Sequence, residues 1–217
     1  MRCSRLIQIN GPRLYQRKLS LKGLLREREA LEAEEEATLR RCDANEAHCL
    51  SIVDPLCTPV FKETATPPAV LFVRDDVGLL ALPQVVTVGS RNARTSGLNV
   101  ASEFFRILAS SGFVINSGVV RGIDGAAHTG ALTTGKTMAV PGTGLDVIYP
   151  RPHPELYQQI IDSSGVIASE LLPGTPPLKA NSPRRNRVIS GGLSLGTMVI
   201  EEALRSGSLV TARYAME

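Results

Sequence analysis

The chain has 217 residues, 43% hydrophobic and 21% charged, with a formal charge of +3, a composition ordinary for a soluble globular protein that buries one sizeable core. The longest apolar stretch near the middle, residues 78–88, is broken by Pro83 and Gln84 and falls far short of the ~20 residues of a membrane span. No continuous apolar run follows Arg2 and Arg5 as a secretory signal requires, so no membrane partner and a cytoplasmic location are expected.

Residues 1–47 read as helical and highly charged. Asn10-Gly11-Pro12 is a turn between two short helical pieces, and residues 24–41, with Glu34-Glu35-Glu36, make one solvated helix. The Gly-Pro turn could be half of a helix-hairpin-helix DNA contact; the plainer reading, a small helical appendage, is preferred. Cys3, Cys42, Cys49 and Cys57 form no close CxxC pair, and His48 alone stands beside one of them. Reduced thiols are expected, with no metal site. Residues 48–84 hold Pro55, Pro59, Pro67, Pro68 and Pro83 around one apolar run, Val70 to Val73. Each proline removes a backbone donor, so this reads as a linker carrying an edge strand.

From Val85 to Glu217 the pattern becomes regular. Val85 to Val88 form a strand that stops at Gly89-Ser90-Arg91. Residues 98–110 form a helix, expected to place Val100, Phe104, Ile107 and Leu108 on its apolar face and to be capped by Ser96. A second strand at Phe113–Ile115 stops at Ser117-Gly118, and Arg121-Gly122-Ile123-Asp124 opens a helix that carries His128. Strands follow at Thr137–Val140, Val166–Ala168 and Thr197–Ile200, ending in Gly142-Thr143-Gly144, Ser169-Glu170 and Glu201; helices are expected over residues 153–163, over 184–190 and from Ser208. Such alternation means right-handed crossovers and an α/β, doubly wound, mostly parallel sheet.

In a parallel sheet these small or polar strand ends converge on one edge, where loop amides and helix N-termini offer donors to an anion. Arg91, directly after Gly-Ser at a strand end, supplies a full charge there. Arg121, Arg185 and Arg187 fall in loops or at helix starts of the same edge. Guanidinium forks with serine hydroxyls suit phosphate oxygens and position a backbone without reading bases. Arg187 and Asp124 could instead pair internally. Glu201 is expected to hold the Ser206-Gly207-Ser208 turn, and His128, beside two alanines, to be a packed, hydrogen-bonded histidine.

The stretches VGSR (Val88 to Arg91), SGVVRGIDGAAH (Ser117 to His128), AVPGTGLDVIYP (Ala139 to Pro150), Ser169-Glu170, SPRRNRVIS (Ser182 to Ser190) and EEALRSGSLVTA (Glu201 to Ala212) resemble the DprA/Smf family of DNA-processing proteins, in family order and spacing, from about residue 47 to 217. The resemblance implies an extended Rossmann-like core that binds single-stranded DNA, forms a homodimer and loads the RecA recombinase during natural transformation, without catalysis and without a cofactor. It assigns nucleic-acid binding to Gly89, Ser90, Arg91, Ser117, Gly118, Arg121, Gly122, Lys179, Arg185, Asn186 and Arg187. Asp124, His128, Gly142, Gly144, Glu201, Ser206, Gly207 and Ser208 would support the site. The family usually carries Phe where Ser182 stands, so one stacking ring is expected to be missing. Beyond the point matching Glu217 the family continues with another strand and often a winged-helix module, so part of the dimer surface is expected to be absent from these residues.

Two other classes fit less well. Residues 191–201, GGLSLGTMVIE, look loosely like the PGGxGTxxE signature of LOG-type nucleoside monophosphate phosphoribohydrolases, in which a glutamate helps break an N-glycosidic bond. Three residues rather than one separate Gly192 from Gly196, and the proline is missing. A dinucleotide-dependent oxidoreductase would need GxGxxG after the first strand and an acid after the second; Gly89 to Gly97 has the wrong spacing and Asn116 stands where the acid should be.

Overall fold

A computed structural model of the chain describes residues 21–55, 67–119, 121–149, 154–190 and 194–201. Its elements in order are α1 (Leu21–Ala44), β1 (Ala47–Ser51), β2 (Val70–Asp75), a short 3-10 helix (Val77–Ala81), β3 (Gln84–Gly89), α2 (Thr95–Ser110), β4 (Val114–Ser117), α3 (Ile123–Leu132), β5 (Thr137–Ala139), α4 (Pro154–Asp162), β6 (Val166–Ser169), α5 (Asn181–Ser190) and β7 (Ser194–Ile200). The turn at residues 10–12, Ser206, Gly207, Ser208 and the glycine pair at 191–192 lie outside the described residues.

The seven strands form one sheet in the order β1-β2-β6-β5-β4-β3-β7. β6, β5, β4, β3 and β7 run parallel, while β2 joins β6 and β1 joins β2 antiparallel. This is the mostly parallel, Rossmann-like α/β sheet that the alternating pattern implies. Val86 and Val88 of β3 bury on one face together with Val188 and Ile189 of α5 and Leu80 of the 3-10 helix. The other face is covered by α2 and α3 around Phe105, Ile115 and Ile123, and by α1 and α4 around Tyr157 and Ile160. A fully buried side chain such as Phe105 contributes roughly 1.5–3 kcal/mol, so these two layers secure the sheet from both faces.

Two expectations change. The run Val70 to Val73 is not an edge strand: β2 lies between β1 and β6, and β1 takes the edge. β1 escapes a pattern reading because its residues, AHCLS, mix polar and apolar side chains and only Leu50 and Ser51 are buried. The buried stripe of α2 is Gly97, Ala101, Phe105 and Ala109, while Val100, Phe104 and Ile107 face outward at 60%, 37% and 50% exposure. The reason is close packing. A Cβ on Gly130 of α3 would overlap the carbonyl of Ser102, so α2 and α3 approach closely where they cross, and small residues turn inward there on either side of Phe105.

The last turn of α1 is tied to the core. Cys42 and Thr38 are buried, and Arg41 donates from Nη1 to Asp146 Oδ2 at 2.7 Å. Asp146 in turn accepts from the Gly174 amide at 2.6 Å.

The chain order within the parallel part places the site. From β3 the strands step through β4, β5 and β6 in one direction, and β7 then returns to the other side of β3. The carboxyl ends of β3 and β7 therefore flank the switch point at which an open α/β sheet leaves a crevice.

Candidate nucleic-acid interface

The turn after β3 is fixed from both sides. The Ser90 amide donates to the Ile200 carbonyl of β7 at 3.3 Å, and the Ser90 carbonyl accepts from the Ile123 amide at the head of α3 at 3.1 Å. Ser90 Oγ accepts from the Asn92 amide at 3.2 Å, a local turn that leaves Arg91 exposed at the apex. Gly89 has no room for a side chain, since a Cβ would strike the Ile200 carbonyl and lie 2.7 Å from Ile123 Cβ. Gly122 sits at φ +85° with its Cα against the Ser90 carbonyl. The two glycine turns are thus packed on each other, and Arg91 and Arg121 leave them as exposed side chains.

Beneath them lies a buried polar layer. Ser117 is fully buried and its hydroxyl donates to the Thr87 carbonyl at 2.7 Å. Arg185 is 5% exposed and donates from Nη1 to the Val140 carbonyl at 2.8 Å. Its guanidinium fills the space above Gly118, so that any Cβ there would overlap it. These two residues, expected at the ligand, are bonded within the protein and hold the turns in place, and Arg185 also lines the cavity described below. The alternative of an internal pair between Arg187 and Asp124 is not what the structure shows. Arg187 pairs with Glu170 at the end of β6, which also meets Arg184 Nε at 3.2 Å. Asp124 sits beside Arg185, close to the Ser117 hydroxyl and the Gly118 amide.

Burial governs the protonation of this layer. It pushes the Asp124 carboxyl up to about 7, against the pull of the Arg185 charge, the Ser117 hydroxyl, the Arg91 charge and the Gly118 amide. The same burial lowers Arg185, with the charge of Asp124 opposing and that of Arg91 adding to the effect. His128 is pushed down to about 4, first by burial. Thr137 Oγ1 donates to the Ile115 carbonyl at 2.6 Å, so it accepts from His128 Nδ1, also at 2.6 Å. His128 is accordingly a packed, hydrogen-bonded, neutral histidine.

The other strand ends complete the edge. Gly142 offers its carbonyl to Asn181 Nδ2 at 3.1 Å. Gly144 donates its amide to Thr175 at 3.0 Å, and a Cβ there would lie 2.6 Å from the Leu172 carbonyl. Ser169 donates to the Thr143 carbonyl at 2.7 Å. Together they press the segment 171–180 onto the β5 turn and set Lys179, exposed, at the head of α5. Asn186 and Arg187 are half-buried further along α5. Glu201 does something not foreseen: its Oε2 accepts from the Arg94 amide at 2.8 Å and its carboxylate lies against Gly97. It caps the N-terminus of α2, a position that Ser96, inside the first turn, does not take.

What results is an open cavity of about 810 Å³ at the strand ends, lined by Arg91, Arg121, Lys179 and Arg185 with Asn92, Val119, Gly142, Tyr149, Pro177, Leu178, Ser182 and Pro183. Among these described lining residues none is acidic, so the cavity carries one sign of charge. Of the residues expected at the site, Arg91, Arg121, Lys179 and Arg185 meet here, while Asn186 and Arg187 do not line it. Asn92, Tyr149 and Leu178 were missed; Tyr149 belongs to the AVPGTGLDVIYP stretch, whose glycines drew attention away from its aromatic end. Among the described residues no group of His, Cys, Asp and Glu could hold a metal ion, and no helix is long and apolar enough to cross a membrane.

The chain resembles known proteins over most of its length. The chain is 46% identical over 160 residues to the protein Smf of Escherichia coli, covering 73% of this chain and 42% of the relative. It is 42% identical over 168 residues to the DNA processing protein DprA of Streptococcus pneumoniae, covering 77% and 58%. The chain thus spans about half the length of these relatives. Among solved structures, the Streptococcus pneumoniae DprA matches with a TM-score of 0.73 at 40% identity, covering 78% of this chain and 59% of that one. DNA processing protein A of Helicobacter pylori, whose structure is described as giving insight into a unique single-stranded DNA binding mode, matches with a TM-score of 0.70 at 30% identity, covering 78% and 75%. The family model for DNA recombination-mediator protein A matches residues 48–217, and the chain belongs to that family, the DprA/Smf proteins.

Proposed function

We propose that this chain is a DNA-processing protein that binds single-stranded DNA in the cavity at the strand ends. The observation that carries this reading is the cavity itself: three exposed cations, Arg91, Arg121 and Lys179, with a fourth, Arg185, buried beneath, and no acidic side chain among the described lining residues. Arginine and lysine there would grip phosphates, and the neighbouring amides and hydroxyls are already engaged in holding the turns, so sequence would go largely unread. The single-stranded DNA binding ascribed to the Helicobacter pylori relative supports the same choice of ligand. The site residues of this reading are Gly89, Ser90, Arg91, Gly118, Arg121, Gly122, Lys179 and Asn186, with Ser117, Arg185 and Arg187 acting from beneath or beside it.

In this reading the protein works without catalysis of its own and inside the cell, forms a homodimer, and passes the bound strand to RecA during natural transformation. The hydrolase alternative is disfavoured because the Glu201 carboxylate is occupied by the Arg94 amide.

Binding of labelled oligothymidine across a salt series tests the reading. Three exposed cations predict a log–log salt slope of about −2 for a single strand. Arg91→Ala should reduce that slope by roughly 0.7 and weaken binding at every salt concentration. A folded wild-type chain that ignores the oligomer at low salt, or binds it with no salt dependence, overturns the proposal.

A further inference from the structure

We infer that Asp124 couples strand binding to a proton: occupation of the strand-end cavity takes up a proton at this buried carboxyl, and affinity falls where the proton is lost. This rests on the single-stranded DNA reading above. Asp124 stands in the first turn of α3, 5% exposed, beside Arg185. The charged groups that bear on it come from two other elements, Arg185 of α5 and Arg91 of the turn after β3, and both line the cavity. From the end of β4 it meets only neutral groups, the Ser117 hydroxyl and the Gly118 amide. On its own helix His128 is buried and neutral, pushed down to about 4 by that burial. His48 stands on β1, at the far edge of the sheet from β7.

The buried carboxyl therefore leans on the same two arginines that an anion in the cavity would use. Ionised, it offsets part of their charge; neutral, it leaves that charge to the ligand. A phosphate placed at Arg91 and Arg185 is a like charge to the carboxylate and takes away part of what stabilises it, so the neutral form gains and a proton is drawn from solvent onto the carboxyl. The coupling is reciprocal, since a proton on Asp124 must favour the bound strand by the same factor. Its position makes it effective. Burial already pushes Asp124 up to about 7, so a further rise on binding spans neutral pH, where a carboxyl with an ordinary value would be ionised in both states.

The test uses the full chain and labelled oligothymidine at constant ionic strength, from about pH 6 to about pH 8.5, on either side of the Asp124 value. Phosphodiester and thymine groups keep their charge over that range, so a change in affinity belongs to the protein. If binding raises the carboxyl by about one unit, the wild type should bind roughly 5- to 10-fold more weakly at the upper end than at the lower. Asp124→Asn, of the same size and unable to titrate, should show no such dependence. Two measurements on the wild type need no variant. Calorimetry near neutral pH in two buffers of different ionisation heat should show a net uptake of roughly 0.4 proton per strand bound. The carbon resonance of the Asp124 carboxyl should titrate about one unit higher with oligothymidine bound than without it. Salt-dependent binding with the same affinity at every pH and no proton taken up overturns the inference and leaves the single-strand reading standing, as does a pH dependence that persists in folded Asp124→Asn. If the wild type does not bind oligothymidine in a salt-dependent way, the reading itself fails and the inference falls with it.

Discussion

Gly122→Ala tests whether the two strand-end turns depend on one another. Gly122 sits at φ +85°, ψ −134°, a region that costs a residue with a Cβ about 1–3 kcal/mol. The new methyl would also overlap the Ser90 carbonyl outright and lie 2.8 Å from Arg91 Cα and 2.9 Å from Arg91 C. Ordinary contact begins at 3.4 Å, so the Gly89-Ser90-Arg91 turn would have to retreat by at least 3.4 − 2.8 = 0.6 Å. That turn is backbone held to β7, and overpacking against it adds about 1–3 kcal/mol. A loss near 3 kcal/mol, at a urea dependence of about 2 kcal/mol/M, moves the unfolding midpoint down by ~1.5 M. Gly112→Ala is the control for conformation alone, because Gly112 has φ +90° and nothing within 4 Å. It should lose only the conformational part. Gly196→Ala, with open space and no positive φ, should be nearly silent. The surviving folded Gly122→Ala protein should also bind oligothymidine more weakly, since Arg91 is displaced. Equal midpoint shifts for Gly122→Ala and Gly112→Ala, with binding unchanged in both, would refute the packed-turn argument.

Two further outcomes are expected. Asp124 has a folded pKa of about 7 against an ordinary 3.8; because the folded value is raised, its contribution to stability is complete below the ordinary value and is lost as pH rises through 7. The stability of the wild type relative to Asp124→Asn should therefore fall by about 2–3 kcal/mol between pH 5 and pH 8, measured by urea unfolding, and a pH-independent difference would contradict the burial argument. Glu201→Ala should cost about 0.5–2 kcal/mol through loss of the cap on α2, with Glu201→Gln, which keeps an acceptor for the Arg94 amide, losing less than half of that by thermal unfolding.

Local chemistry made the parallel strands and their glycine-serine ends legible in the sequence. β-branched runs such as Val85 to Val88, each cut off by small residues, fit a buried parallel strand and little else. The buried face of α2 was not legible, because the helix is apolar on more than one side and hydrophobicity favours its larger residues. The α2–α3 contact is decided by close approach, which selects Ala101 and Ala109, while Gly97 leaves room for the Glu201 carboxylate. The burial of Arg185 was not legible for a related reason. In the run Arg184-Arg185-Asn186-Arg187 every arginine looks equally solvated, yet one turn of helix sends Arg185 into the core, Arg187 to Glu170 and Arg184 to the surface. The Glu201 cap joins residues 107 positions apart in the chain, and no local pattern announces a partner at that distance.

The burial of Arg185 also accounts for the kind of surface above it. A desolvated guanidinium beside a desolvated carboxyl is costly unless each has other partners, and here the Val140 carbonyl takes one guanidinium N–H while the Ser117 hydroxyl and the Gly118 amide lie at the carboxyl. The same contacts fix Gly118 under the guanidinium and Asp124 in the first turn of α3, and the first residues of α3 hold the Ser90 carbonyl. A displacement of Arg185 would therefore pass through Asp124 and Ile123 to the Gly89-Ser90-Arg91 turn before it reached any ligand. The exposed cations can be long and mobile at their tips because their Cα positions are set by a layer that solvent does not enter. That division also lets the chain present several positive charges on one edge, since Asp124, on the inner side of the turn, partly offsets the repulsion between Arg91 and Arg185.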